Sequence, residues 1–428
     1  MPHPTRKDRQ AIKKAQRRNR AHAAGAVVGV DAGKFKHCLV VRPKGGLDSR
    51  PFTFPVTRDG FELAEAYILR HAGGIVPEEI LVGIEFAGIY GQTLAHALHA
   101  RGFKIVSVPP AFTKAAKKIS HGKRLKTDEK DAESITSLVG DGHFQDYPFL
   151  KPVYTGLRQL VSARERVTKL RGGAVTRLKS TLQITWPEFE AIFDDLEAKT
   201  AVAVLRTFPG PAEFLAARKA RVLRVLQKAS RGQLGEETYD QLREGATRSV
   251  ALPGSLSALK KEVDLLLSQI AFYTEQVKTL EEAMKEAMEP LPEAQAVLTI
   301  PGVAPVAAAI FLGSIGDPKA YQSSRQILAL AGLTLVEDSS GTRVGAVRIS
   351  KEGRPLMRRL SFMLGLVAIR KKGIYRKEFE GLVSRMGGNK KPAVVAVGRK
   401  LLRLMYSVAR AERVYTPEPP SRERKIAA

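Results

Sequence analysis

Between residues 26 and 109 the chain alternates between apolar runs and polar stretches in a pattern that predicts a sheet. Five short runs, at 26–31, 37–43, 51–56, 80–86 and 104–109, are enriched in β-branched residues. Val27-Val28-Gly29-Val30 and Ile80-Leu81-Val82-Gly83-Ile84 are apolar throughout and predict buried strands. Helical periodicity falls between the runs, over 59–72, 91–101 and 127–140. Thr127 opens the last of these, where its hydroxyl suits an N-cap. Three consecutive strands followed by alternating helix and strand predict an α/β layer fold with a mixed sheet over 26–148.

After residue 148 the period changes to that of helices. From Tyr154 the apolar residues Leu157, Leu160, Val161, Val167, Leu170, Leu178 and Leu182 interleave with Arg158, Arg164, Arg166, Lys169, Arg171, Arg177 and Lys179. One face is apolar and the rest basic, which predicts either a helix lying along a phosphate backbone or a solvated surface helix. Proline and glycine break residues 208–254 into short helices. A heptad stripe then runs through Leu256, Leu259, Val263, Leu266, Ile270, Tyr273, Val277, Leu280, Met284 and Ala287, and Pro290 and Pro292 end it. It predicts a coiled coil at 256–288, antiparallel or joining two protomers; a helix packed inside its own subunit gives the same pattern. Val297 to Ile310, with a Pro301-Gly302 turn opening a helix, resembles a helix-hairpin-helix, or equally a plain helical packing unit. The expected organisation is a basic arm (1–25), an α/β domain (26–148), a helical region (149–292), a mainly helical C-terminal domain (293–410) and a flexible tail (411–428).

Charge narrows the partners. Seventy Lys and Arg stand against 43 Asp and Glu, a net +27, with an isoelectric point near 10.1. No long apolar span accompanies that excess, so the expected polyanion is nucleic acid, not membrane lipid. Arg6, Lys7, Arg9, Lys13, Lys14, Arg17, Arg18 and Arg20 concentrate charge in the N-terminal arm, read as flexible. The single cysteine, Cys38, cannot pair within the chain, and no export signal is seen; a cytoplasmic, nucleoid-associated protein is expected. Cys38 and Trp186 read as core residues, and no histidine spacing matches a zinc site.

Four carboxylates carry the candidate chemistry. Asp31 and Glu85 close two of the apolar runs, where open α/β sheets place their sites. Asp128 and Asp131, three apart, share a helix face. Such acids can converge on hard divalent cations, and they are also ordinary turn and surface residues that Lys123, Arg124, Lys126 and Lys130 can neutralise. In the C-terminal domain, Ser339-Ser340-Gly341 sits among Arg343, Arg348, Lys351, Arg354, Arg358 and Arg359. A serine before glycine is commonly a turn, whereas one beside arginines that clamp a phosphate can attack it.

Val28-Gly29-Val30-Asp31, Gly83-Ile84-Glu85 with Gly88-Ile89-Tyr90, and Gly122 to Ala132 resemble the DEDD transposase family of insertion sequences, which includes Piv-type DNA invertases and bridge-RNA-guided recombinases. Phe86-Ala87 departs from the family pattern. The stretches Ser339–Arg343 and Ile349-Ser350-Lys351-Glu352-Gly353, with Arg358-Arg359-Leu360 after them, resemble the family's C-terminal serine domain. The resemblance implies a ribonuclease-H-like, RuvC-like first domain whose tetrad Asp31, Glu85, Asp128 and Asp131 binds Mg²⁺ or Mn²⁺, with Ser340 as nucleophile and Ser339 in reserve. It further implies a transposase or recombinase acting on DNA as a homodimer or homotetramer, with a structured noncoding guide RNA. Lys123, Arg124, Lys126, Arg343, Arg348, Lys351, Arg354 and Arg358 are the expected nucleic-acid contacts. A RuvC-like junction resolvase would need the acids without the serine, and a non-catalytic binding protein would need neither.

Overall fold

The computed structural model describes residues 6–86, 89–120, 127–251, 256–337, 347–370 and 373–416. The chain divides into two units, Met1–Phe149 and Leu150–Ala428.

The first unit is a mixed α/β domain around a six-stranded sheet. Its strands are β1 (Ala26–Ala32), β2 (Lys36–Pro43), β3 (Phe52–Pro55), β4 (Ile80–Glu85), β5 (Lys104–Val108) and β6 (Gln145–Asp146), in the order β3-β2-β1-β4-β5-β6. β1, β2 and β3 run antiparallel, β1, β4 and β5 run parallel, and β6 closes the edge antiparallel to β5. The central strands are buried on both faces, as their unbroken apolar runs require. The helices are α1 (Arg6–Ala23), α2 (Arg58–His71), α3 (Gln92–Ala100), α4 (Pro110–Ser120) and α5 (Asp128–Gly140). Thr57 caps α2 by accepting from the Gly60 amide at 3.1 Å, and Thr127 caps α5 by accepting from the Lys130 amide at 3.3 Å.

The N-terminal arm differs from the expected flexible tail. It forms α1, whose Ala21 is buried and whose Arg20 pairs with Asp146. Gly142, at φ +77°, leaves room for the backbone of Arg17 and Arg18, so the end of this helix docks on the unit. α4 and the two-residue β6 were not legible in the pattern, the latter because so short an edge has no period.

The second unit is helical. α6 (Pro152–Thr185) is followed by α7 (Phe189–Ile192), α8 (Lys199–Thr207), α9 (Pro211–Ala216), α10 (Lys219–Ser230) and α11 (Glu236–Thr247). Then come α12 (Leu256–Met288), α13 (Pro292–Leu298), α14 (Pro305–Ile315), α15 (Ser324–Leu330), the hairpin β7 (Leu335–Glu337) and β8 (Val347–Ile349), α16 (Pro355–Arg370), α17 (Ile374–Arg385) and α18 (Lys390–Ala411). α6 and α12, each about 50 Å long, lie antiparallel, because Arg164 meets Glu281 while Arg177 meets Glu262. The heptad stripe therefore faces a helix of the same chain. One core forms around the C-terminal half of α6 and the first half of α12, with Leu178, Trp186, Phe214 and Ile270. A second joins the opposite ends, Leu157 and Met284, to α13–α18. The stretch read either as a helix-hairpin-helix or as a plain packing unit forms α13 and α14, which flank Gly302 at φ +89°, with Ala308 and Ala309 fully buried.

Candidate active site

Asp31 stands near the carboxyl end of β1, and Glu85 is the last residue of β4. The two strands are parallel neighbours with Val30 opposite Ile84, so both acids emerge at one end of the sheet. Asp128 and Asp131 lie in the first turn of α5, where an anion is favoured by the helix dipole. α5 reaches this position through two glycines that are register partners. A Cβ built at Gly29 would lie 2.2 Å from the Thr136 amide nitrogen and 2.6 Å from the Ala132 carbonyl oxygen. One at Gly83 would lie 2.1 Å from a Val139 methyl. The helix backbone thus rests directly on β1. Thr136 fastens it further, its buried hydroxyl lying 2.8 Å from the Ala132 carbonyl oxygen and 3.3 Å from that of Val40 on β2.

The electrostatics follow from this packing. Asp128 is exposed and pairs with Lys36 at 3.5 Å, while Asp131 is only 8% exposed. Cys38, opposite Asp31 in the β1–β2 ladder, is buried against Val40 and Ala132. Burial pushes its thiol pKa up, and the negative charges of Glu129, Asp31 and Asp128 add to that. Among the described residues no three His, Cys, Asp or Glu side chains converge closely enough to hold an ion. The four acids thus share one end of the unit without closing into a ligand shell. Their donors are all hard oxygens, the set that suits Mg²⁺ or Mn²⁺, and the Lys36 ammonium beside Asp128 already places a cation there. Lys36 was not singled out from the sequence; the signal was the Lys34-Phe35-Lys36 turn just after Asp31. Phe35 is 76% exposed with Lys34 Nζ 4.9 Å from its ring centroid. Phe86, the departure from the family pattern, is half-buried and stacks on Tyr147.

The basic segment of the second unit is pinned by backbone contacts. Lys351 and Arg354 donate amides to the carbonyls of Gly332 and Leu330, at 3.0 and 2.7 Å. Gly353 packs so closely that a Cβ there would lie 2.4 Å from the Gly332 nitrogen. The Ile-Ser-Lys-Glu-Gly motif is thus the base of the β7–β8 hairpin. Arg354 donates its guanidinium to the Ser314 carbonyl, and Arg358 donates to the carbonyls of Ala331 and Lys351 at 3.2 and 3.1 Å. Burial lowers the Arg354 pKa. These two expected phosphate contacts therefore hold the loop itself, whereas Arg348 and Lys351 are exposed. Ser339, Ser340, Arg343, Lys123, Arg124 and Lys126 lie outside the described residues. On α6, the basic face predicted for a phosphate backbone is largely paired within the unit: Arg158 donates to Gly313 and Ser314 carbonyls, and Arg164, Arg171, Arg177 and Lys179 meet Glu281, Glu197, Glu262 and Glu190.

Residues 28–187 match the DEDD transposase family model of the IS110 type, and residues 294–380 match that of the transposase IS116/IS110/IS902 family. The chain is similar to an uncharacterized 44.8 kDa protein of insertion element IS116 from Streptomyces clavuligerus, 26% identical over 412 residues that cover 92% of this chain and 96% of that one. An IS110 protein of Streptomyces coelicolor is 22% identical over 407 residues, covering 93% and 97%. The transposase of insertion sequence element IS1111A from Coxiella burnetii is 27% identical over 169 residues, 38% of this chain and 45% of that one.

Proposed function

The chain belongs to the IS110/IS116 family of insertion-element transposases, and from that premise we propose that it cuts and rejoins DNA with the acids of a ribonuclease-H-like, RuvC-like domain and a serine of its C-terminal segment. The observation that carries the reading is the placement of Asp31 and Glu85 at the ends of neighbouring parallel strands, with the first turn of α5 seated at the same end. Asp31, Glu85, Asp128 and Asp131 are the residues that would hold Mg²⁺ or Mn²⁺. Such an ion, when bound, supplies Lewis-acid stabilisation of charge on a scissile phosphate. Lys36, whose ammonium lies 3.5 Å from Asp128, would stand beside such an ion and could meet a phosphate oxygen there.

Ser340 supplies the nucleophilic hydroxyl. Its Oγ forms a bond to phosphorus as the bond to a deoxyribose oxygen breaks; the serine proton leaves and the departing oxygen takes one up. The phosphoserine conserves the ester bond, so attack by a DNA hydroxyl on that linkage rejoins strands. A structured noncoding RNA as guide, and assembly as a dimer or tetramer, complete the proposal. The net charge of +27 and the family resemblance support the RNA.

A trapping experiment tests this. The full-length protein with any co-purifying RNA is incubated with Mg²⁺ and DNA spanning the element's ends, then resolved on a denaturing gel. A protein–DNA adduct is expected, and it should vanish in both Ser340→Ala and Asp128→Ala. Metal-dependent cleavage without an adduct would instead assign a nuclease of the junction-resolving kind.

A further inference from the structure

A groove of about 1070 Å³ lies between the β7–β8 hairpin and α18. Along α18 its wall is formed by two adjacent rows of residues four apart, Lys391, Val395 and Arg399 in one and Pro392 and Ala396 in the other. The hairpin side adds Arg348 and Lys351, and Glu352 is the one carboxylate among the described residues that line it.

These four cations differ from their neighbours. Elsewhere in the unit, Arg359 meets Glu165, Arg376 meets Glu380 and Lys400 meets Glu378. Among the described residues none of the four in the groove is ion-paired, and the buried Arg399 Nε has no hydrogen-bond partner. Desolvation holds the Arg399 pKa down, and the charge of Arg403 pushes the same way. A half-buried guanidinium with its Nε–H unsatisfied and a like charge beside it is well placed to take up an anion. Lining apolar groups such as Val336, Val347 and Val395 suit sugar rings better than a small hydrated ion, and among the described residues no aromatic ring lines the groove to stack a base.

We infer that this groove receives the backbone of a DNA strand, with Arg399 donating to a non-bridging phosphate oxygen and Arg348, Lys351 and Lys391 meeting the flanking phosphates. The inference rests on the reading of the chain as a transposase acting on DNA, and it assigns a contact independent of base sequence.

Full-length protein is titrated with a fluorescein-labelled DNA duplex of arbitrary sequence at several NaCl concentrations. Arg399→Gln is expected to bind about tenfold more weakly, with the slope of log affinity against log salt shallower by about 0.9, the value of one phosphate contact. Its melting temperature should stay close to that of the wild type, since the half-buried Arg399 gives up no ion pair among the described residues. Arg376→Gln, outside the groove, should change neither binding quantity. If Arg399→Gln misfolds, the exposed Lys391→Gln reads the same slope. A folded Arg399→Gln or Lys391→Gln protein with the wild-type slope overturns the groove while leaving the transposase reading intact. A slope change seen only with RNA of the same sequence overturns the DNA assignment. Wild-type protein that binds no DNA overturns both readings.

Discussion

In the sheet unit, α5 carries Asp128 and Asp131 to the end of β1 because Gly29 lets its backbone, and Gly83 its Val139 side chain, lie close on the sheet. In the helical unit, side chains decide where charge goes. Arginines on α6 that look like a nucleic-acid face are tied to glutamates and carbonyls, whereas among the described residues Lys391 and Arg399 of α18, Arg348 of β8 and Lys351 beyond it meet no acid. The difference teaches that a basic stripe in a sequence is not yet a binding surface. Its partners across the fold determine whether a charge is structural or available. For a carboxylate at a strand end, the register alone fixes which end of the sheet it leaves.

The largest expected effect strikes the backbone contact. Gly29→Ala would drive a methyl into the Thr136 amide and Ala132 carbonyl, neither of which can rotate away, so α5 must move. A loss of about 3 kcal/mol in chemical denaturation is expected, together with loss of DNA cleavage as the two aspartates shift. Gly83→Ala meets the Val139 side chain, with Val108 next nearest at 3.3 Å, and side chains can adjust. It should cost less, and equal losses would show that the helix is not seated as described.

His37 offers an intermediate test of the same unit. It is 1% exposed between Phe54 and Phe61, and neither ring nitrogen has a hydrogen-bond partner among the described residues. Burial lowers its pKa from 6.5 to about 4. The unfolded chain therefore binds a proton that the folded chain refuses. The stability this residue contributes is fully present above pH 6.5 and declines as pH falls toward 4, by roughly 3 kcal/mol. His37→Phe should flatten that part of the pH–stability profile. An unchanged profile would mean that the imidazole finds an acceptor when protonated.

The smallest effects belong to the paired charges of α6. Glu262→Gln, which releases Arg177, should cost about 0.2–1 kcal/mol in thermal unfolding and leave the salt dependence of DNA binding unchanged. A gain in DNA affinity on releasing that arginine would blur the contrast between paired and available cations.

Much was legible in the order of residues alone. The predicted strands at 26–31, 37–43, 80–86 and 104–109 agree with β1, β2, β4 and β5 to within a residue or so, because hydrophobic alternation and β-branching act locally. Asp31 and Glu85 at strand ends, the Thr127 cap and the extent of the α12 heptad are likewise properties of short segments. Only the tertiary structure decided that α1 docks through Ala21 and Arg20, that the heptad stripe meets α6 of its own chain, that Lys36 faces Asp128, and that Arg399 meets no acid among the described residues. Each of these depends on residues distant in the chain meeting in space. Pairing, desolvation and close backbone approach are set by that meeting, and no local pattern encodes it.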